Sequence, residues 1–323
     1  MSKTSHVVSF ALDHPWAVTR PMLAVIAGVL ARHLAGASLD RTELDAALVN
    51  RKDLPRPRVG SVAVLPMHGV IAPRANALTD TSGVTTFDTL RAQLREALAS
   101  QTVKTIVLDV DSPGGNVAGA TEFAEDVRKA RTKKPIVAVA EYTMASAAYW
   151  IGAQATEVVA APSAKVGSIG VYGVHDDLSG ALEQLGVKRT YLSAGEGKTD
   201  GHEAGPLSAE AAGRMQGLID AAYQQMVTDI VRGRGVGSSA AQVQREWKAF
   251  LYTAADAKAA GLIDRVETLD ATLARLLSAS TDPSDQRALA LLTADTDQEP
   301  SPATSQDRRA ESALERQLFE LLL

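Results

Sequence analysis

A hydroxyl, an amine and a pair of backbone amides are the reactive groups this sequence brings into suggestive order. The run Asp111-Ser112-Pro113-Gly114-Gly115 follows the apolar stretch 105–110 (TIVLDV) and precedes a helical pattern. Two glycines there fall at the carboxyl edge of an α/β sheet, where such folds bind ligands. Their N–H groups, with the positive end of the next helix, suit the oxygen of a tetrahedral intermediate. A plain strand-to-helix turn, or a phosphate site, uses the same pattern. One βα unit later, Tyr142-Thr143-Met144-Ala145-Ser146-Ala147-Ala148-Tyr149-Trp150 places Ser146 at the mouth of a helix rich in small residues. Serine at that position most often caps the helix. The nucleophile reading draws its weight from the Gly-Gly turn, because adjacent parallel strands present both groups to one crevice.

A serine nucleophile needs a base. The chain has six histidines, none in a persuasive setting beside a matching acid, and His68 and His175, near strand ends, read as structural. A lysine serves instead if burial lowers its pKa toward the working range. Lys198, in the loop Ala194-Gly195-Glu196-Gly197-Lys198-Thr199, and Lys165, in Ala164-Lys165-Val166-Gly167, are the rivals, and spacing does not choose between them. The chain contains no cysteine, which excludes disulfides, thiolate metal sites and a thiol nucleophile. The formal net charge of -5 gives no footprint for nucleic acid. The proposed chemistry requires no metal or other cofactor.

The elements that must position these groups alternate. Val62 and Val64 mark a strand, Phe87, Leu90, Leu94 and Leu98 one helical face, Phe123 and Val127 a second helix, and 135–140 (PIVAVA) a buried strand. A helix is expected over 144–152, strands at 157–160, 166–174 and 189–192, and a long helix over 208–232. The pattern predicts an α/β domain with a mostly parallel sheet. Residues 1–58 read as an N-terminal helical arm, with patterns Met22/Ile26/Leu30 and Leu44/Leu48 and a linker rich in Pro and Arg; 59–270 read as the core. Residues 271–323 read as a largely disordered polar tail ending in an amphipathic stretch, 314–323, suited to docking. The apolar run 22–31 is about half a bilayer span and is stopped by Arg32 and His33. With His6, Asp13 and His14 ahead of it, no secretory signal is expected either, and the expected location is the cytoplasm.

Four motifs in order, Asp111-Ser112-Pro113-Gly114-Gly115, Met144-Ala145-Ser146-Ala147-Ala148-Tyr149-Trp150, Val166-Gly167-Ser168-Ile169-Gly170-Val171 and 255–264 (ADAKAAGLID), resemble those of signal peptide peptidase A relatives in serine peptidase family forty-nine. The resemblance covers residues 62–266 and implies the Clp/crotonase-like β-α-β superhelix. It implies that Ser146 is the nucleophile and Lys198, not Lys165, the base. Ser168 would orient the lysine amine, and Gly114 and Gly115 would supply oxyanion donors. Ala147-Ala148 depart from the Gly-Gly common in relatives. The soluble helical arm and polar tail are similar to the phage and prophage branch, capsid assembly proteases that act on scaffold, portal or other head proteins. A homo-oligomeric ring is implied, with neighbouring subunits completing each site. The competing readings are a signal-peptide-degrading enzyme of the same chemistry, a crotonase-type acyl-CoA enzyme, for which no carboxylate base or CoA surface is evident, and an inactive scaffold protein.

Overall fold

The computed structural model describes residues 16–19, 58–74, 85–235 and 239–294. Its first elements are short strands around one long one: β1 (Trp16–Val18), β2 (Arg58–Val59), β3 (Val62–His68), β4 (Ile71–Ala72) and β5 (Thr85–Thr86). Helix α1 (Phe87–Ala99) begins where the Thr86 hydroxyl accepts a hydrogen bond from the Thr89 N–H, and it buries Phe87, Leu90 and Leu94. Next come β6 (Thr105–Ser112), β7 (Gly114–Asn116), α2 (Ala120–Ala130), β8 (Ile136–Ala145), α3 (Ala147–Gly152), β9 (Glu157–Ala160), β10 (Lys165–Gly167) and the short exposed α4 (Ser179–Gln184). The 26-residue α5 (Ala209–Arg234) is capped by Ser208. After it, α6 (Ala240–Gln242) runs into a π-helical turn, Val243–Trp247, followed by β11 (Leu251–Thr253), α7 (Ala254–Ala259), β12 (Arg265–Val266), α8 (Leu269–Ser278) and α9 (Pro283–Ala294).

The main sheet runs β11-β10-β8-β6-β3-β2, and its interior pairs, β3 with β6, β6 with β8 and β8 with β10, are parallel. The expected α/β plan with a mostly parallel sheet is what forms. β8 is long enough to serve two neighbours on one side: Val137–Ala140 pairs with β9, and Thr143–Ala145 pairs with β10. A register shift between Val110 and Ser112 accommodates this turn of the sheet. A second sheet, β1-β7-β4-β5, stands at the carboxyl edge of β6.

Alternation along the strands divides the core. Ile106, Leu108, Val110, Ile136 and Ala138 face α1, α2 and α3 in the larger cluster, whereas Val62, Val64, Val107, Val137 and Val139 face Leu273 and Leu277 of α8. The structure goes beyond the expected boundary here. In place of a disordered tail from residue 271, α8 and α9 cover the second face, with Leu289 and Leu292 packed against it. Asp285 anchors them: its carboxylate accepts the Ser61 N–H at 2.6 Å and the Ser61 hydroxyl at 2.8 Å. Composition hid this because the polar residues of 281–287 include the anchor itself.

Three local expectations also change. Residues 141–145 continue β8 rather than open the helix, since β10 extends their ladder. Residues 189–192 form no strand among the described residues; Arg189 pairs with Glu203 and Tyr191 stacks on His202. The strand expected over 166–174 is limited to Lys165–Gly167. Trp16–Val18 is a strand, and the helical patterns at 22–30 and 44–48, like the stretch 314–323, lie outside the described residues.

Candidate active site

Ser146 links β8 to α3 in a conformation that serine rarely adopts, φ 55° and ψ -119°. That region favours glycine, and a side chain stays there only when its surroundings enforce it. The enforcing contacts are visible. Its N–H donates to the Gly167 carbonyl at 2.8 Å, and its own carbonyl accepts the Trp150 N–H at 2.9 Å. All six residues of α3 are buried. The helix is locked by polar tips of its aromatics: Tyr149 donates to the Leu262 carbonyl at 2.7 Å and Trp150 Nε1 to Asp229 Oδ2 at 3.0 Å. Burial pushes the Tyr149 phenol far up, so it stays a neutral donor.

The capping role is excluded by this geometry. Ser146 makes no side-chain bond to the helix N-terminus; its hydroxyl donates to the Gly170 carbonyl at 3.2 Å, and the residue is 1% exposed. The Gly167–Gly170 segment therefore holds Ser146 by two carbonyls. That segment is itself fixed from the other side, where Ser168, at φ 54°, donates its N–H to Phe250 O at 2.7 Å.

Gly114 and Gly115 lie beside this turn. Ser112 of β6 is in register with Met144 of β8, so Gly114 and Ser146, each two residues further on, leave adjacent strands at the same level. Gly114 has φ 105°, a conformation open to glycine alone without strain. Its N–H donates to Ser112 Oγ at 3.2 Å, and that hydroxyl donates to Gly69 O at 2.6 Å. Gly115 is required for another reason: a Cβ there would lie 2.0 Å from the Ile71 carbonyl oxygen of β4.

The lysines are placed apart. Lys198 is exposed in a turn where its N–H donates to Gly195 O at 3.3 Å, and among the described residues no hydrogen bond or ion pair joins its ammonium to Ser146 or to any other group. Its surroundings, residues 174–200, are mostly exposed and carry Val174, Leu178, Leu185 and Leu192 in water, the last 94% exposed. Lys165 is exposed at the start of β10, opposite Thr143, three residues before the serine.

Two arrangements escaped sequence reasoning. His68 Nε2 lies 2.9 Å from Asp109 Oδ2, and Asp109 is buried; the partners are forty-one positions apart, so only the β3–β6 register reveals them. This pair occupies the sheet face of Val107 and Val139, away from α3. Near it Glu141 is held above the usual carboxylate range by burial first and then by the Asp109 charge. The second is β1, which pairs antiparallel with β7 itself. No group of His, Asp and Glu among the described residues is arranged to hold a metal ion.

Comparison with known proteins gives this site a family. The description "Peptidase family S49" matches residues 128–281, which hold Ser146, Ser168 and Lys198. The chain is 31% identical over 277 residues to the capsid assembly protease C of Escherichia phage lambda, covering 81% of this chain and 62% of that protein. It is 30% identical over 251 residues to the head-tail preconnector protein GP5 of Enterobacteria phage P21, covering 73% of this chain and 50% of that protein. It is 31% identical over 217 residues to Protease 4 of Salmonella typhi, covering 67% of this chain and 34% of that protein. The chain thus spans less than two thirds of each relative. With the serine turn, the Gly167–Gly170 clamp and the buried α3 all inside the matched stretch, the folded unit that carries Ser146 belongs to peptidase family S49.

Proposed function

We propose that the chain is a serine endopeptidase with a Ser146/Lys198 dyad, acting on head proteins such as scaffold or portal during phage or prophage capsid assembly. The observation that carries this reading is the enforced turn at Ser146, a buried hydroxyl that caps nothing and stands level with the Gly114-Gly115 amides. Ser146 Oγ attacks a peptide carbonyl while neutral Lys198 takes its proton. The C–N bond breaks as the lysine returns that proton to the leaving amine, and water, deprotonated in turn by the lysine, releases the acyl group and restores the serine. Gly114 and Gly115 donate to the oxyanion and Ser168 orients the amine. Function in the host cytoplasm or inside the prohead follows from such substrates.

Lys198 reaches Ser146 once its loop is packed. The apolar side chains left in water around it, Val174, Leu185 and Leu192 among them, favour packing against a second copy, so the working unit is a homo-oligomer. The similarity to a phage capsid assembly protease and a phage head-tail preconnector protein favours head proteins over signal peptides as substrates. An inactive scaffold is the second reading, favoured by the Ser146–Gly170 bond and the distance-free exposure of Lys198. Incubating wild type and Ser146→Ala with candidate head proteins and mapping new termini by mass spectrometry tests both: cleavage lost only in the variant supports the peptidase, and no cleavage by either leaves the scaffold.

A further inference from the structure

We infer that the outer edge of β7 is the docking edge for an extended peptide and that the chain's own segment Trp16–Val18 occupies it, masking the site; this rests on the peptidase reading above. β7 has two edges. Ile71 of β4 pairs with Gly115 on one, and β1 takes the other in antiparallel register, Trp16 opposite Asn116, Ala17 opposite Gly115 and Val18 opposite Gly114. A peptide entering as an added strand uses main-chain bonds of just this kind, so it competes with β1 for the same groups.

The hydrogen-bond pattern shows what is masked. Thr19 N–H donates to Pro113 O at 3.1 Å. Antiparallel pairs alternate between bonded and non-bonded, so Ala17 and Gly115 form the next bonded pair, and the Gly115 N–H points at the Ala17 carbonyl. The Gly114 N–H is engaged by Ser112 Oγ. Both amides proposed to receive an oxyanion therefore already have acceptors, and the Ser146 hydroxyl is turned to Gly170 O. Val18 is 2% exposed, so its side chain fills the place of an apolar β-branched residue of a substrate. The mask is removable: β1 has three residues, and residues 20–57 separate it from β2, so its departure leaves the main sheet paired.

The absence of cysteine makes a direct test simple. In the full-length chain, Val18→Cys supplies one thiol, and its maleimide labelling rate is measured with and without a saturating apolar peptidyl boronate directed at serine; Ala17→Pro, which removes one N–H of the ladder, is assayed for boronate affinity. Labelling is expected to be slow in the free protein and to accelerate about tenfold or more when the boronate is bound, and Ala17→Pro is expected to bind the boronate about tenfold more tightly, because the open state no longer has to be populated at β1's expense. Labelling that is fast in the free protein, or slow and unchanged with boronate bound, overturns the mask while leaving the peptidase intact; equal affinity of wild type and Ala17→Pro does the same. Binding to neither protein removes the peptidase reading and this inference with it.

Discussion

Replacing Ser146 by glycine should leave a more stable protein than replacing it by alanine, the reverse of the usual order. Both substitutions remove the hydroxyl and its 3.2 Å bond to Gly170, so that loss cancels in the comparison. What remains is the backbone, held at φ 55° and ψ -119°. A residue with a Cβ in such a region is strained by about 1–3 kcal/mol. Glycine relieves this, against an offset of about 1 kcal/mol from its freer unfolded chain and the lost methyl burial. The glycine variant should therefore be favoured by about 1 kcal/mol, or about 2–4 °C in melting temperature for a domain of this size. Urea unfolding followed by tryptophan fluorescence suits the measurement, since Trp150 and Trp247 are buried. An alanine variant as stable as the glycine variant, or more so, would refute the idea that strain is stored at the serine.

Three further outcomes are expected. Lys198→Ala should abolish peptide cleavage while Lys165→Ala retains most of it, read by a fluorogenic peptide assay; the opposite result moves the base to β10. Gly115→Ala should destabilise by about 1–3 kcal/mol or more, since its methyl meets the Ile71 backbone, a contact that yields only if β7 and β4 separate; unchanged thermal stability would show the approach to be looser than described. Glu141→Gln should raise the melting temperature at neutral pH. The Glu141 carboxyl titrates above its unfolded value because of burial, then Asp109, with Asp111 and Asp270 adding and His68 opposing. Its contribution to stability is thus complete below the unfolded pKa, about 4, and lost as pH rises through the folded one, so the gain should vanish in acid. A gain that is equal at both pH values would contradict this.

The run at 105–110, the face Phe87/Leu90/Leu94 and the Ser208 cap became what they resemble because their patterns are unambiguous, whereas the short β4, β5, β7 and α4 carried no such period and the strand expected at 189–192 did not form. Ser146 was legible as a helix entry, but its backbone conformation was not, since the clamp from Gly167 and Gly170 comes from a strand neighbour. The His68–Asp109 pair depends on register and so left no local signal. Trp16–Val18 was absorbed into a helical pattern because three residues carry no period of their own. The helices after residue 266 were obscured by the same logic in reverse, a polar composition concealing Asp285, a carboxylate whose partner, Ser61, stands at the opposite end of the core.

That clasp ties the final described helix to the first long strand of the sheet, and synthesis order gives it weight. A chain leaving the ribosome presents Val62, Val64 and Val107 long before the residues that cover them, and the seal over that face closes only when α9 has emerged. That face is therefore completed only after α8 and α9 have been made, and a nascent fragment stopping short of residue 269 carries an uncovered valine surface for chaperones to recognise.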